Sequence, residues 1–247
     1  MTGTPSGIPA DIATGAHPGR GLLVSFSGVD GSGKTTNIRR LKASLRKMGY
    51  QVHVFKLPSN ECKRLALFTE YKTDPLTAES ENRVDIFSMF LAVAGDRLNT
   101  IKTRIVPLLD RGHAVIVDRY LYSALCEILV SSSGFSPVQW RVVSDIVSHF
   151  PTPHVAFFNR ASFIEARKRI NSREAERDDF VDPVLFNKRI DAFEVIRSRF
   201  TGVLVDTALD EHSCFKIVIR EARRAKAAAE ARAAATEESR TAGAVAA

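Results

Sequence analysis

Apolar residues follow two alternating patterns along the chain, and this alternation predicts the fold. Helical spacing of apolar positions first occurs from Lys34 to about Lys47, and Gly49 ends it. Short apolar runs rich in strand-forming residues predict strands at 22–27, 52–57, 114–118, 155–158 and 203–205. Strands that alternate with helices predict an α/β fold, a three-layer sandwich in which helices cover both faces of a five-stranded parallel sheet.

Further helical patterns and polar stretches suggest how the chain is organised. Helices are expected at 80–109, 120–130, 137–149, 162–172, 184–200 and from about 210. Pro107 is expected to kink or end the longest of these helices. We expect a flexible leader, one domain and an Ala/Arg/Glu-rich tail, at 1–20, 21–224 and 225–247. The tail is interpreted as a frayed helix or a disordered segment, and a basic helical arm for a partner is the alternative.

Composition narrows the range of functions. The formal net charge of +7 suits anionic partners such as nucleotides, although solvated helix faces and tails would give the same excess. No basic motif with interleaved aromatics occurs, so we do not expect nucleic-acid binding as the main role. The three cysteines form no CxxC pair, which fits a reducing, cytoplasmic setting. We find neither a signal-peptide pattern nor an apolar run long enough to span a membrane.

The segment Gly28-Val-Asp-Gly-Ser-Gly-Lys-Thr35 matches the phosphate-binding pattern G-x-x-x-x-G-K-[ST]. Its glycines allow a tight turn whose backbone N–H groups, with the N-terminus of the next helix, bind phosphate. Lys34 would contact the β and γ phosphates, and Thr35 would offer its hydroxyl to Mg²⁺. We therefore predict an ATP–Mg²⁺ site formed by Gly28, Asp30, Gly31, Ser32, Gly33, Lys34, Thr35 and Thr36.

Three stretches in order carry a family resemblance: 26–36 with the phosphate loop, Ala94-Gly-Asp-Arg97, and Asp118-Arg-Tyr-Leu-Tyr-Ser123. On the basis of these three stretches, the chain resembles the thymidylate kinase family of nucleoside monophosphate kinases over about 22–223. The resemblance implies a P-loop NTPase fold with a mobile lid. It also implies that the protein forms a homodimer. It also implies transfer of the γ-phosphoryl group of ATP to a nucleoside monophosphate, with dTMP as the first expectation.

The same resemblance implies roles for five residues near the acceptor. Asp118 would lie near Mg²⁺, Arg119 and Arg97 would bind the acceptor, Tyr120 would pack beside it, and Asp30 would approach its sugar hydroxyl. A carboxylate and a guanidinium at the C-terminal end of a parallel strand do face the ligand crevice in such sheets. The alternative for Asp118 and Arg119 is an ion pair that caps the strand, and for Tyr120 it is plain packing. For Arg97 it is a solvated or salt-bridged residue, and for Asp30 it is a carboxylate that only stabilises the loop.

The charged stretch within 167–182 resembles the lid of this family. Gly31 occupies a position where some relatives have an arginine, so the lid would have to supply the catalytic positive charge. Arg173 and Arg177 are the first candidates and Arg169 is another. A merely solvated loop is the alternative. The predicted catalytic residues are thus Lys34, Arg119, Arg173 and Arg177.

Several positions depart from the family pattern on the acceptor side. The stretch 55–60 lacks the usual arginine, and Lys56 or Lys63 would have to replace it. Val93 stands where a base-stacking phenylalanine is usual, and Ala-Leu-Cys-Glu127 follows Ser123 in place of an aromatic residue or glutamine. Two alternatives to dTMP phosphorylation therefore stay open. One is a different acceptor, such as a modified pyrimidine nucleotide, a nucleoside or another small molecule, and the other is an ATP-binding regulatory module without turnover.

Overall fold

The computed structural model describes residues 7–17, 19–172 and 182–245, with side chains described as far as residue 231. Within these ranges the sheet has five parallel strands in the order β2-β3-β1-β4-β5. The strands are β1 Leu22–Ser27, β2 Val52–Lys56, β3 Ala114–Asp118, β4 Val155–Arg160 and β5 Val203–Asp206. The predicted parallel sheet and its α/β class are confirmed.

Helices connect the strands and cover the sheet. They are α1 Lys34–Lys47, α2 Asn60–Lys63, α3 Ala66–Thr73, α4 Pro75–Ser80, α5 Ile86–Thr100, α6 Val106–Asp110, α7 Tyr122–Val130, α8 Pro137–Ser148, α9 Phe163–Asn171, α10 Pro183–Arg199 and α11 Glu211–Val245. Local capping explains several starts: Ser136 and Ser162 form capping boxes for α8 and α9, and Asp85 caps α5. The cap at Asp85 also explains why α5 begins six residues later than the pattern suggested.

Each face of the sheet has its own apolar layer. Leu22, Val24 and Phe26 of β1 are fully buried in a cluster with residues of α1 and α11. Leu23 lies in a second cluster on the opposite face, with residues of α5, α7 and α8. Successive side chains of a strand point to opposite faces, so an uninterrupted apolar run fills both layers. The three-layer sandwich follows from this arrangement.

Pro107 does not end the helical stretch in which it lies. A π-helical segment, Ile101–Ile105, joins α5 to α6, and Pro107 lies in the first turn of α6. A proline inside a regular α-helix removes one hydrogen bond and clashes with the carbonyl four residues earlier. The wider π turn changes the pairing before Pro107, so the chain continues as a helix to Asp110.

The described part of the leader packs against the domain, in contrast to the expected flexibility. Ile12 is fully buried in the core cluster that also contains Tyr120 and Phe150. The guanidinium of Arg199 donates hydrogen bonds to the carbonyls of Ala10 and Ile12. Gly15 donates its N–H to the carbonyl of Phe150 at 2.8 Å. One buried isoleucine and backbone hydrogen bonds therefore order a segment whose Gly/Pro-rich composition suggested a flexible coil.

Replacing Ile12 with alanine is expected to destabilise the protein by about 3 kcal/mol, because it leaves a cavity in the core. Urea unfolding followed by circular dichroism measures this change. Asp11→Ala is the matched control, since the neighbouring Asp11 side chain is exposed. A loss below about 0.5 kcal/mol for Ile12→Ala would show that the leader contributes little to stability.

The last helix continues past Arg224, where a tail was expected to begin. Ala222, Ala225 and Ala229 are buried on one face of α11, and Lys226 lies 5.9 Å from the centre of the Tyr50 ring. Small alanine side chains allow this face to pack closely without large apolar residues. Over the described ranges, no helix has both the length and the apolar character needed to cross a bilayer.

Candidate active site

The phosphate loop connects β1 to α1 and depends on glycine at specific positions. Gly28, Gly31 and Gly33 have φ values of 131°, 75° and 80°. A Cβ atom at Gly28 would lie 2.2 Å from the carbonyl oxygen of Asn159, and one at Gly31 would lie 2.6 Å from that of Ala166. Neither position can hold a side chain without moving backbone, so an arginine at position 31 would not fit. The loop instead leads into the N-terminus of α1, whose N–H groups suit an anion.

Lys34 is held inside this loop. Its side chain is only 6% exposed, and its ammonium group donates to the carbonyls of Gly28 and Val29 at 2.9 and 2.7 Å. The Ser32 hydroxyl lies 3.4 Å from the same nitrogen. Burial, and then the nearby Arg119 guanidinium, lower the pKa of Lys34 to about 8. A bound polyphosphate would favour the charged form and raise this pKa again.

This lowered pKa predicts how nucleotide binding depends on pH. Phosphate raises the pKa of Lys34, so ATP binds more tightly to protein whose Lys34 is protonated. We expect affinity for ATP to be nearly constant from pH 6.5 to 7.5 and to fall above pH 8, by up to about tenfold per unit. Titration calorimetry from pH 6.5 to 9.5 measures this profile. Lys34→Met should flatten it, and an equally steep decline in that variant would assign the effect to another group.

Ser32, Thr35 and Thr36 complete the predicted loop. Ser32 is fully buried, and its carbonyl accepts a hydrogen bond from the Asn159 amide at 3.2 Å. Thr35 is exposed in the first turn of α1, and Thr36 is half-buried beside it. The structure thus places these residues on the loop or at the helix start, where a nucleotide phosphate would contact them.

Arg119 and Asp30 form an ion pair at the loop. The backbone N–H of Arg119 donates a hydrogen bond to the Phe26 carbonyl at 2.8 Å. Arg119 has a left-handed backbone conformation, with φ 65°, which turns the chain away from the direction of β3. Its guanidinium binds the Asp30 carboxylate. Burial opposes ionisation of Asp30, yet Arg119 and Lys34 hold its pKa below the usual range, while Asp30 raises the pKa of Arg119. Both groups are therefore charged at neutral pH.

Three buried polar groups near Arg119 have atoms without a hydrogen-bond partner among the described residues: Asp118 Oδ1, Arg97 Nη1 and Ser123 Oγ. Arg97 is only 3% exposed and uses its Nε to donate to the Arg119 carbonyl at 3.3 Å. Burial lowers the pKa of Arg97 to about 10, so it stays charged at neutral pH. Buried polar atoms normally have partners, and several unpaired ones together indicate a place for a polar ligand.

The residues predicted to hold Mg²⁺ fit that ion. Mg²⁺ is usually bound through one or two carboxylates, water and substrate phosphates, not by an all-protein cage. Asp118 supplies a carboxylate oxygen that lacks a partner, and Thr35 supplies an exposed hydroxyl at the start of α1. Within the described ranges no cluster of three or more His, Cys, Asp or Glu forms a complete metal cage. A site completed by nucleotide phosphates is therefore the arrangement that this chain supports.

Tyr120 does not face the acceptor site, in contrast to the role implied by resemblance. Its side chain is fully buried, and its hydroxyl donates to the Pro151 carbonyl at 2.6 Å. Its ring packs edge-on against Phe150. The left-handed turn at Arg119 directs these two neighbouring side chains differently, so that Arg119 reaches the loop while Tyr120 enters the core.

Of the lid arginines, Arg169 lies in the described part of α9, whereas Arg173 and Arg177 lie outside the described residues. The Arg169 guanidinium donates to the Gly31 carbonyl at 3.1 Å and to the Thr207 hydroxyl at 3.0 Å. These contacts connect the phosphate loop to the turn after β5. Arg169 therefore stabilises the loop in this structure.

Two lysines were suggested as substitutes for the missing acceptor arginine. Lys63 lies on α2, and its pKa is lowered by burial and by the neighbouring charges of Lys56 and Arg119. The start of α2 is fixed by Asp96, which accepts a hydrogen bond from the Ser59 N–H at 2.8 Å. Lys63 thus belongs to the same positive region as Arg119.

Sequence reasoning missed a polar network that joins three helices. Glu127 Oε2 on α7 accepts hydrogen bonds from the Tyr71 hydroxyl of α3 at 2.8 Å and from Arg189 of α10 at 2.8 and 3.3 Å. Although burial opposes it, Glu127 raises the pKa of Arg189 above its usual range. Glu127 is the one charged residue in the mostly apolar stretch 120–130, and that signal could have identified it.

A phosphate loop at the end of one strand, with two arginines beside it, can hold two phosphate groups next to each other. The register places Phe26 of β1 opposite Asp118 of β3. The phosphate loop and Arg119 therefore both follow the C-terminal ends of neighbouring strands, where ligands bind in such folds. This arrangement is that of a P-loop phosphotransferase.

Comparison with known proteins identifies the family within this class. The sequence model of the thymidylate kinase family matches residues 26–212, and the chain therefore belongs to that family. It is an ATP-dependent nucleotide kinase.

Similarity to individual relatives is moderate. The chain is 29% identical over 159 residues to the thymidylate kinase of Caldanaerobacter subterraneus, covering 64% of this chain and 73% of that protein. It is 32% identical over 166 residues to a probable thymidylate kinase of Staphylothermus marinus, covering 65% and 76%. A shorter match to the thymidylate kinase of Bifidobacterium longum has 38% identity over 107 residues, 42% of this chain and 50% of that one.

Proposed function

We propose that this enzyme transfers the γ-phosphoryl group of ATP to dTMP, giving dTDP and ADP. The observation that carries the proposal is the position of Arg119. Its guanidinium binds Asp30 of the phosphate loop and lies next to Arg97, whose Nη1 has no partner within the described ranges. Two guanidinium groups beside a phosphate loop suit a second phosphate, the acceptor's, because arginine binds phosphate with paired hydrogen bonds.

In the proposed mechanism, each group near the loop has one task. Lys34 and the loop amides bind the β and γ phosphates, while Arg119 and Arg97 hold the acceptor phosphate in line with the γ phosphorus. An acceptor oxygen forms the new P–O bond as the bond from the γ phosphorus to the β–γ bridging oxygen breaks, and ADP leaves. The acceptor phosphate is already ionised at neutral pH, so no general base is needed.

Mg²⁺ and the lid supply further positive charge in this proposal. Thr35 and Asp118 would hold Mg²⁺, which neutralises charge on the transferring group when bound. Arg173 and Arg177 are proposed to add charge from the lid, while closure excludes water and suppresses ATP hydrolysis. We further propose that the enzyme is a cytoplasmic homodimer, and analytical ultracentrifugation tests its assembly.

One experiment tests the proposed function. Purified protein is incubated with ATP, Mg²⁺ and a panel of nucleoside monophosphates and nucleosides, and ADP formation is followed, with Lys34→Met as the inactive control. Turnover with dTMP supports the proposal. Turnover only with another acceptor would replace dTMP by that acceptor. Tight ATP binding without turnover dependent on any acceptor would contradict the proposal and favour a regulatory module.

A further inference from the structure

The network of Tyr71, Glu127 and Arg189 lies where the acceptor would extend away from the phosphate loop. Glu127 is one helical turn beyond Ser123 on the same face of α7, and Ser123 Oγ has no partner among the described residues. Helix α7 follows directly after Arg119 and packs against α5, which carries Arg97. A nucleotide whose phosphate is bound by these two arginines would therefore place its far end along α7.

The network has unused hydrogen-bonding capacity. Both partners of Glu127 bind Oε2, so Oε1 has no partner in the described residues. Arg189 uses Nε and Nη2, which leaves Nη1 without a partner over the same ranges. The two side chains are 23% and 25% exposed, so a ligand can reach them. As far as the described residues show, the pair presents one unpaired acceptor atom and one unpaired donor atom.

Stacking of the acceptor base on an aromatic side chain has less support in this chain than hydrogen bonding to the base. Val93, which stands where the family usually has an aromatic residue, is buried in the core, and so is Phe90 one turn earlier. The Tyr71 ring is buried as well, and its hydroxyl is committed to Glu127. Recognition in this chain would therefore depend on hydrogen bonds more than on an aromatic surface.

We propose that Glu127 and Arg189 select the base of the acceptor nucleotide. Glu127 Oε1 accepts a hydrogen bond from a ring N–H, and Arg189 Nη1 donates to the adjacent carbonyl, as the imide edge of thymine requires. In cytosine the corresponding ring nitrogen carries a lone pair, which the carboxylate repels. The inference rests on the proposed function, and it names the groups that would distinguish dTMP from dCMP.

Glu127→Gln is the first test, with kcat/KM measured for dTMP and dCMP. The glutamine amide can donate as well as accept, so it removes the repulsion from the cytosine ring nitrogen. We expect the ratio of kcat/KM for dTMP to that for dCMP to fall at least tenfold, while KM for ATP stays within twofold. Glu211→Gln is the matched control, because Glu211 pairs with Arg40 at an exposed position. It should leave the ratio unchanged.

A charge exchange separates recognition from support of the fold. Glu127→Arg combined with Arg189→Glu keeps an ion pair between α7 and α10 but exchanges the groups that face the ligand. The double variant should melt closer to the wild type than Arg189→Glu alone, while its dTMP-to-dCMP ratio stays at least tenfold below that of the wild type.

Three results would overturn the inference. One is an unchanged ratio in Glu127→Gln, and another is a double variant that regains the wild-type ratio together with its melting temperature. Either would give the pair a structural role only and would leave the proposed function intact. If the wild type phosphorylated no nucleoside monophosphate, the proposed function would fail, and this inference with it.

Discussion

Replacing Lys34 with methionine is expected to lower kcat at least about 10³-fold, roughly 4 kcal/mol of barrier height. The ammonium group is buried in the loop and directed at carbonyls that a polyphosphate would compete with. Methionine has a similar length but no charge, so the loop keeps its shape and loses the group that neutralises the transferring phosphoryl. A coupled assay of ADP formation with dTMP as acceptor measures the effect.

The matched control is Lys47→Met at the exposed end of the same helix. It should retain wild-type kcat, which excludes a general effect of removing positive charge from α1. The melting temperature of Lys34→Met shows whether the variant is folded, because the substitution removes a buried charge but also the hydrogen bonds to the Gly28 and Val29 carbonyls. A kcat for Lys34→Met within tenfold of the wild type, with an intact fold, would contradict the assignment of Lys34 to the transferring group.

Replacing Arg119 with alanine is expected to reduce kcat/KM for the acceptor about 10³-fold and to leave the Kd for ATP within about threefold. The side chain is one of the two guanidinium groups proposed to bind the acceptor phosphate, and its loss also removes the ion-pair partner of Asp30 beside the phosphate loop. Arg119→Lys should recover part of the activity, because an ammonium group restores the charge without the paired hydrogen bonds. Acceptor kinetics and ATP calorimetry on the same preparations separate the two sites.

Arg111→Ala serves as the control for Arg119, since Arg111 is an exposed arginine just before β3. It should change neither constant. A variant Arg119→Ala with weakened ATP binding and unchanged use of the acceptor would contradict the position given to this arginine. It would move Arg119 to the nucleotide side of the site.

The strands and the phosphate loop could be predicted because their signals are local. Each buried parallel strand is an apolar run, and the pattern from Gly28 to Thr35 contains the glycines that its backbone requires. The π-helical segment before Pro107 could not be predicted, because a π turn depends on how a helix packs and not on a short motif. The docked leader was missed for a related reason. A single buried isoleucine in a Gly/Pro-rich segment gives no periodic pattern.

The acceptor side was predicted less completely, because its contacts join distant parts of the chain. Arg119 and Asp30 were both candidates, but only the fold brings them together across 89 positions. The pairing of Glu127 with Arg189 spans 62 positions and follows from the packing of α7 on α10. Tyr120 shows the opposite case, since adjacency in sequence to Arg119 did not place it in the same site.

The docked leader also limits how far the protein can be trimmed for laboratory use. A fragment restricted to the family-matched residues 26–212 would omit Ile12, four of the six residues of the central strand β1 and nearly all of α11. The groove that Ile12 fills and the sheet face that α11 covers would then be open to solvent. Such a fragment would retain the phosphate loop itself but would expose apolar surface that favours aggregation.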